Sequence, residues 1–396
     1  MPNHVRRAGR PLSRVAAAVI CGLLLVAGGA LPALPAIADP TPAVANPAVA
    51  NPTPAVAAEP VGGRLLGGTA VVVSPGAAAL PKAITASSWV VADGDTGEIL
   101  AARNPHGRFA PASTLKILTA LTLLPRLSSR RVVRVTNAEE MVDGTKVGLV
   151  PGSSVRVDQL FTALLVVSAN DAADVLADAD GGLAVTLGRM RAEAHRLQAS
   201  DTVPRTVHGL DVAGQTSSAY DLALMGRAGL AMPSFRHYVA IRTARMPAPH
   251  GKTFQITTHD KLLTHFPGAL GVKNGYTDAA RASFVGAARR GGRTLIVALM
   301  HADPLVWKEA AALLTWGFAA DGRVTPVGRL VAPLPPAAIS GATSAARGAA
   351  PATRRHAGPA SFLLPALAIG ALLALLVWIA IRRLGRARTA ESPDPG

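Results

Sequence analysis

Phe109-Ala110-Pro111-Ala112-Ser113-Thr114-Leu115-Lys116-Ile117-Leu118-Thr119 holds a serine and, three residues later, a lysine. On a helix that spacing is about one turn, so the two side chains share a face and can reach each other. Pro111 suits the first turn of a helix, and Leu115, Ile117, Leu118, Ala120 and Leu121 suit one buried on most sides, so a helix is predicted over 112–127. A serine at such a buried start becomes a nucleophile if a neutral amine takes its proton, and desolvation lowers a lysine pKa toward that role. Taken alone, the pattern also fits a capping serine and a solvated lysine.

Two further patterns follow in order. Ser168-Ala169-Asn170 falls between an apolar helix predicted over 157–167 and a second that starts there. Lys273-Asn274-Gly275 falls on a strand predicted over Leu270–Tyr276, read as carrying an exposed lysine. A helix start, an inter-helix loop and a strand are specific contexts, and the ordered set is much less common than any member.

The remaining elements frame these three. Ser88–Asp93 and Glu98–Ala102 read as strands joined by Gly94-Asp95-Thr96-Gly97, and Ser283–Arg289 and Arg293–Met300 as strands joined through Gly291-Gly292. Arg131–Thr136 reads as a strand and 183–198 as an amphipathic helix. Ser217 or Ser218 caps another helix to about Leu230, and Pro304–Phe318 forms a closing one. A hairpin first, a hairpin last and helices between predict an α/β (α+β) class, with a largely antiparallel sheet flanked by helices.

Both ends differ from the middle. Arg6, Arg7, Arg10 and Arg14, the apolar stretch Val15–Ala27 and Ala36-Ile37-Ala38 read as a secretory signal over 1–38. Residues 39–85 read as a Pro/Ala-rich linker, with Pro-Ala-Val-Ala-Asn in tandem and an ambiguous stretch from 64. The folded domain is placed at 86–320 and a Pro/Ala/Gly/Arg stalk at 321–359. Residues 360–381 carry no charge and are long enough to cross a bilayer; Arg382, Arg383, Arg386 and Arg388 then mark 382–396 as a cytoplasmic tail. This predicts a single-pass cell-membrane protein with its domain on the extracytoplasmic side.

The formal net charge is +16; taking away the signal's four arginines, then the tail's four arginines with Glu391 and Asp394, leaves +10 outside. A basic, exported domain with few aromatics suits an anionic cell surface and does not suit nucleic acid. Cys21, in the signal, is the single cysteine, which excludes disulfides and thiol chemistry from the mature chain. His250, His259 and His265 show no metal-ligating pair with a carboxylate, so neither metal nor other cofactor is expected. Glu139-Glu140 reads as a solvated turn, and Trp307 and Trp316 as core. His208 reads as ordering a loop near the site or satisfying local hydrogen bonds.

With these patterns the chain resembles the penicillin-recognising serine enzymes, and closely the D-alanyl-D-alanine carboxypeptidases among the low-molecular-mass penicillin-binding proteins. The resemblance covers about 86–318. It extends to Ala92–Leu100, Gly148-Leu149-Val150-Pro151-Gly152, Ser168–Ala173, His208-Gly209-Leu210-Asp211 and Ser217–Ala223. It implies Ser113 as acyl-ester nucleophile on the carbonyl between the last two D-alanines of a cell-wall stem peptide. Lys116 would be its general base and Ser168 a proton relay. Asn170 would hold substrate and lysine, with Lys273, Asn274, Gly275 and Tyr276 binding the substrate. The backbone N–H groups of Ser113 and Tyr276 would form the oxyanion hole, and β-lactams would act as acylating inhibitors. The chain departs from the family's usual Lys-Thr-Gly in having Asn274, whose amide can donate from nearly the same place.

Two other readings stay open. A β-lactamase usually needs a glutamate in Glu-x-x-x-Asn between the second and third motifs; Glu193 is the one glutamate there, and no asparagine follows it at that spacing. A wall-binding or β-lactam-sensing domain without turnover would fit Asn274.

Overall fold

Alternation of side chains along long strands builds the centre of the molecule. The strands are β1 (Val71–Val73), β2 (Ser88–Asp93), β3 (Glu98–Arg103), β8 (Ala269–Thr277), β9 (Arg281–Arg290) and β10 (Arg293–Ala302), with β11 (Gly328–Arg329) on the outer edge of β3. Their order is β1-β3-β2-β10-β9-β8, and every pairing is antiparallel. Two small hairpins lie outside this sheet: β4 (Val132–Arg134) with β5 (Ser154–Arg156), and β6 (Thr243–Pro247) with β7 (Thr253–Thr257). The computed structural model describes residues 59–136, 142–248, 251–320 and 322–335.

The two faces of the sheet carry separate cores. Val90, Ala92, Ile99, Val285, Ile296 and Ala298 point to one side. They pack with α1 (Lys116–Leu123), α2 (Val157–Val166), α3 (Asn170–Ala179), α4 (Leu183–Arg196) and α5 (Ala219–Ala231). Trp89, Val91, Leu100, Phe284, Leu295 and Val297 point to the other side, under α8 (Val306–Ala320). Both tryptophans of α8 pack there; Trp316 is buried and its Nε1 donates to the Ala78 carbonyl at 2.9 Å, while Trp307 is partly buried. Two short helices, α6 (Pro233–Val239) and α7 (Lys261–His265), complete the described residues.

The sheet draws in more chain than 86–320. Val71–Val73 pair with Ala101–Arg103, and Leu66 is fully buried, so the end of the supposed linker belongs to the fold. The start of the supposed stalk also does: Gly328 pairs with Ile99, Val327 and Leu330 are buried, and the Leu334 N–H donates to the Arg196 carbonyl at 2.7 Å. Each piece is too short to carry a period, and each is held by the unpaired edge of β3. The signal 1–38, the linker to residue 58, Glu139-Glu140, His250, the stalk from 336, the apolar run 360–381 and the tail lie outside the described residues. Among the described residues no helix is long and apolar enough to cross a membrane.

Candidate active site

The predicted helix over 112–127 is a 3-10 turn, Ala112–Leu115, running into α1. Ala112 sits at φ +48°, a conformation that costs a residue with a Cβ about 1 kcal/mol or more. Two hydroxyls hold the turn by donating to the Pro111 carbonyl, Thr114 Oγ1 at 2.5 Å and Ser283 Oγ at 2.6 Å. Ser113 therefore starts a buried helix, pinned from β9.

Lys116 is fully buried, and its Nζ has three neighbours. Asn170 Oδ1 lies at 2.6 Å, the His208 carbonyl at 2.8 Å and Ser113 Oγ at 2.9 Å. The first two can only accept. A neutral amine spends its two N–H groups on them and keeps its lone pair toward the Ser113 hydroxyl. Burial, then the charge of Lys273, drives the Lys116 pKa well below its ordinary value, against Asp174 and Asp171.

Ser168-Ala169-Asn170 sits between α2 and α3 as predicted. Ser168 adopts φ +64°, and its Oγ is buried with no hydrogen-bond partner among the described residues. Asn170 is tied down on three sides. Besides meeting Lys116, its Nδ2 donates to the Asp143 carbonyl and its N–H to the Thr145 carbonyl, each at 2.7 Å. Asp171 adds to this, its carboxylate accepting from Val147 N at 3.1 Å, Gly148 N at 2.9 Å and Leu149 N at 3.0 Å. The loop from 143 to 149 is thus a wall of the site, fastened to α3. Its Gly-rich sequence shows only a turn-former, and the ordering comes from the carboxylate at the helix start.

A second loop closes the other flank. A Cβ on Gly209, at φ +92°, would fall 1.9 Å from the Ala112 carbonyl oxygen, so only glycine lets this backbone lie against the turn that carries Ser113. His208 serves both roles read from sequence. Its carbonyl holds Lys116, and its Nδ1 accepts from Leu210 N at 3.2 Å. Burial above all pushes its pKa down to about 4, so it is neutral, with Nε2 3.9 Å from Asp174.

The third motif lies on β8, the edge strand. A Cβ on Gly275 would fall 2.6 Å from the Ser113 backbone nitrogen and 2.8 Å from Ser283 Oγ. Lys273 was expected to be exposed; it is 1% exposed, and its Nζ donates to the Asn274 carbonyl at 2.7 Å. Period-2 alternation cannot show that an edge strand will be roofed by helices. Burial lowers the Lys273 pKa to about 7, against the pull of Asp260. Asn274 is half-buried and its side chain makes no hydrogen bond to the described residues, while Tyr276 is exposed. Glu193 is spent on Arg196, at 2.6 and 2.8 Å, on α4. His265 meets Thr264 and Trp307 at the surface, and among the described residues no three His, Cys, Asp or Glu side chains converge on one point.

A serine bonded to a base-poised amine, beside a buried amide and a buried strand lysine, is the site of a serine hydrolase. Residues 75–304 match the family of D-alanyl-D-alanine carboxypeptidases, peptidase S11, and the chain belongs to that family. It is 43% identical over 241 residues to D-alanyl-D-alanine carboxypeptidase DacB2 of Mycobacterium tuberculosis, covering 59% of this chain and 82% of that protein. It is 34% identical to D-alanyl-D-alanine carboxypeptidase DacD of Escherichia coli, covering 60% of this chain and 64% of the relative. A crystal structure of D-alanyl-D-alanine carboxypeptidase from M. tuberculosis superposes with a TM-score of 0.63 at 41% identity, over 65% of this chain and 99% of that one.

Proposed function

We propose that the protein is a membrane-anchored serine D-alanyl-D-alanine carboxypeptidase. It removes the terminal D-Ala from peptidoglycan stem pentapeptides through an acyl-enzyme. The observation that carries this reading is the surroundings of Lys116 Nζ, where two acceptors and one hydroxyl fit a neutral general base aimed at Ser113. Ser113 Oγ attacks the penultimate carbonyl as Lys116 takes its proton. The oxyanion forms at the Ser113 N–H, beside β8, and the tetrahedral species collapses by breaking the peptide bond. The leaving amine of D-Ala takes the proton back through Ser168, whose buried hydroxyl has bonding capacity to spare. Water then hydrolyses the ester. Lys273, with Asn274, Gly275 and Tyr276 along β8, receives the terminal carboxylate. β-Lactams acylate the same serine.

The anchor rests on sequence: an uncharged 360–381 followed by four arginines, behind a leader over 1–38, puts the domain on the extracytoplasmic side. The test is D-alanine release from a pentapeptide ending in D-Ala-D-Ala. The parent releases it and forms a penicillin adduct on Ser113; Ser113→Ala does neither. A folded parent that forms the adduct and releases no D-alanine would instead support the sensing reading, for which Asn274 speaks.

A further inference from the structure

A cavity of about 880 Å³ lies beside the last described residues of the chain, and none of the residues placed in the active site lines it. Its apolar wall is Leu197 after α4, Leu224 and Leu230 of α5, Leu270 of β8, Ile296 of β10, and Val331. Leu197, Leu224 and Ile296 are buried, so this wall forms the floor. Ala332 and Pro333 also belong to the lining, and the next residue, Leu334, is held by its N–H on the Arg196 carbonyl at 2.7 Å. From there the sequence continues through 336–359 to the uncharged stretch 360–381.

Three arginines line the same cavity: Arg227 of α5, Arg236 of α6 and Arg289 of β9. None of them makes an ion pair among the described residues. Two are fixed in place by uncharged acceptors. Arg227 donates from Nε to the Gly94 carbonyl at 2.9 Å and from Nη2 to the Asp95 carbonyl at 3.0 Å, and Arg236 donates from Nη1 to the Leu230 carbonyl at 2.6 Å. Each keeps further N–H groups for a ligand. Arg289 is exposed, and the β9–β10 register sets it opposite Thr294, which is also in the lining. The one acid there, Asp95, already accepts from the Thr294 N–H through Oδ2 at 2.9 Å. The cavity thus has an apolar floor and an excess of positive charge toward solvent, which fits an amphiphile with an anionic head. The chain's own 336–359 does not fit, since it carries Arg347, Arg354 and Arg355 and no acid.

We propose that this cavity binds an anionic phospholipid of the membrane that anchors the chain, the arginines taking the phosphate and the apolar floor taking the upper part of an acyl chain. The inference rests on the anchored reading above. A guanidinium matches a phosphate in charge and in its paired N–H geometry. Occupied, the site holds the domain against the bilayer beside its own anchor.

The test is photolabelling of the full chain, reconstituted in neutral phosphatidylcholine vesicles, by a phosphatidylglycerol that carries a diazirine on its acyl chain. Adducts are expected on the peptides that hold Leu224, Leu230, Ile296 and Val331, and unlabelled phosphatidylglycerol competes them away. Arg236→Gln and Arg289→Gln each raise the lipid fraction needed for half-maximal labelling about fivefold, the usual effect of one arginine at an anionic membrane surface. Ala228→Trp, which fills the cavity from α5 and keeps every charge, lowers the labelling as well. Penicillin acylation stays at the parental rate in all three, which shows that they fold. Equal labelling by a phosphatidylcholine probe of the same chain length overturns the proposal. So does labelling that survives both arginine substitutions together, or that spreads evenly over the exposed arginines of the domain. A chain that does not float with the vesicles fails the anchored reading. A short-chain diazirine phosphatidylglycerol, soluble without vesicles, then judges the cavity by the same adducts and the same variants.

Discussion

Replacing Gly275 by alanine tests the site's geometry with one methyl group. The new Cβ would fall 2.6 Å from the Ser113 nitrogen, 2.8 Å from Ser283 Oγ and 3.0 Å from Ala112 Cβ. None of the three can give way cheaply. Ser283 Oγ is held by the Pro111 carbonyl, Ala112 is already at φ +48°, and the Ser113 nitrogen belongs to the turn that carries the Ser113 hydroxyl. Relief to ordinary contact needs roughly 0.8 Å at the nitrogen, so β8 or the turn must move by nearly that much. A misplacement of about 1 Å can cost about 100-fold in rate, and losing an oxyanion donor costs about 3–4 kcal/mol. The expected outcome is a fall of about 100-fold or more in both penicillin acylation and D-alanine release. The fold pays less, about 1–3 kcal/mol for the overpacking. Acylation rates by mass spectrometry, with a denaturant unfolding curve beside them, separate the two effects. Gly291→Ala, where no neighbour lies within 4 Å but φ is +55°, controls for glycine loss away from the site. Gly275→Ala with parental acylation and parental stability would refute the placement of β8 against Ser113.

Lys116→Met removes the base and is expected to lower the acylation rate by about 100- to 10,000-fold, the usual range for a general base, measured with a fluorescent penicillin. Asp171→Ala leaves three loop amides without their acceptor. It should cost about 2–4 kcal/mol of unfolding free energy and expose the 143–149 loop to limited proteolysis at native pH. The buried lysines make stability depend on pH. Lys273 is held near 7 in the fold against an ordinary 10.5, so between those values the unfolded chain binds the extra proton and stability rises with pH. Its share is at most about 1.4 kcal/mol per pH unit. Unfolding curves at pH 7, 8 and 9 should show the rise, and Lys273→Met should flatten it.

The parts of the site that were legible share one property: their residue type and spacing are imposed by chemistry. Ser113 and Lys116 lie one helical turn apart and Ser168 and Asn170 at a helix junction, so a short pattern carries their placement. The long elements were legible because β9, β10 and α8 each carry a long, mostly apolar stretch. What was not legible is held by contacts distant in sequence. Asp171 reads as one more acid at a helix start, and nothing local shows that it fastens a loop more than 20 residues back. Nothing local to Gly209 shows that the Ala112 carbonyl lies against it. The β6–β7 hairpin was missed because Thr243–Pro247 and Thr253–Thr257 each bury a single residue, so no period stands out.

Lys273 is the instructive failure, because its misreading concerned burial and not identity. A lysine on a strand is ordinarily a solvated one. This protein buries two, Lys116 and Lys273, and surrounds them differently. Lys116 is surrounded by acceptors that match the N–H count of a neutral amine, so its neutral form is satisfied and its lone pair is aimed. Lys273 Nζ donates to one carbonyl among the described residues, so a cation there has N–H groups left for an incoming carboxylate. Burial lowers both, and the hydrogen-bond count then distinguishes them. A site that needs one base and one cation can thus build both from the same side chain, provided the polar atoms around each are chosen separately.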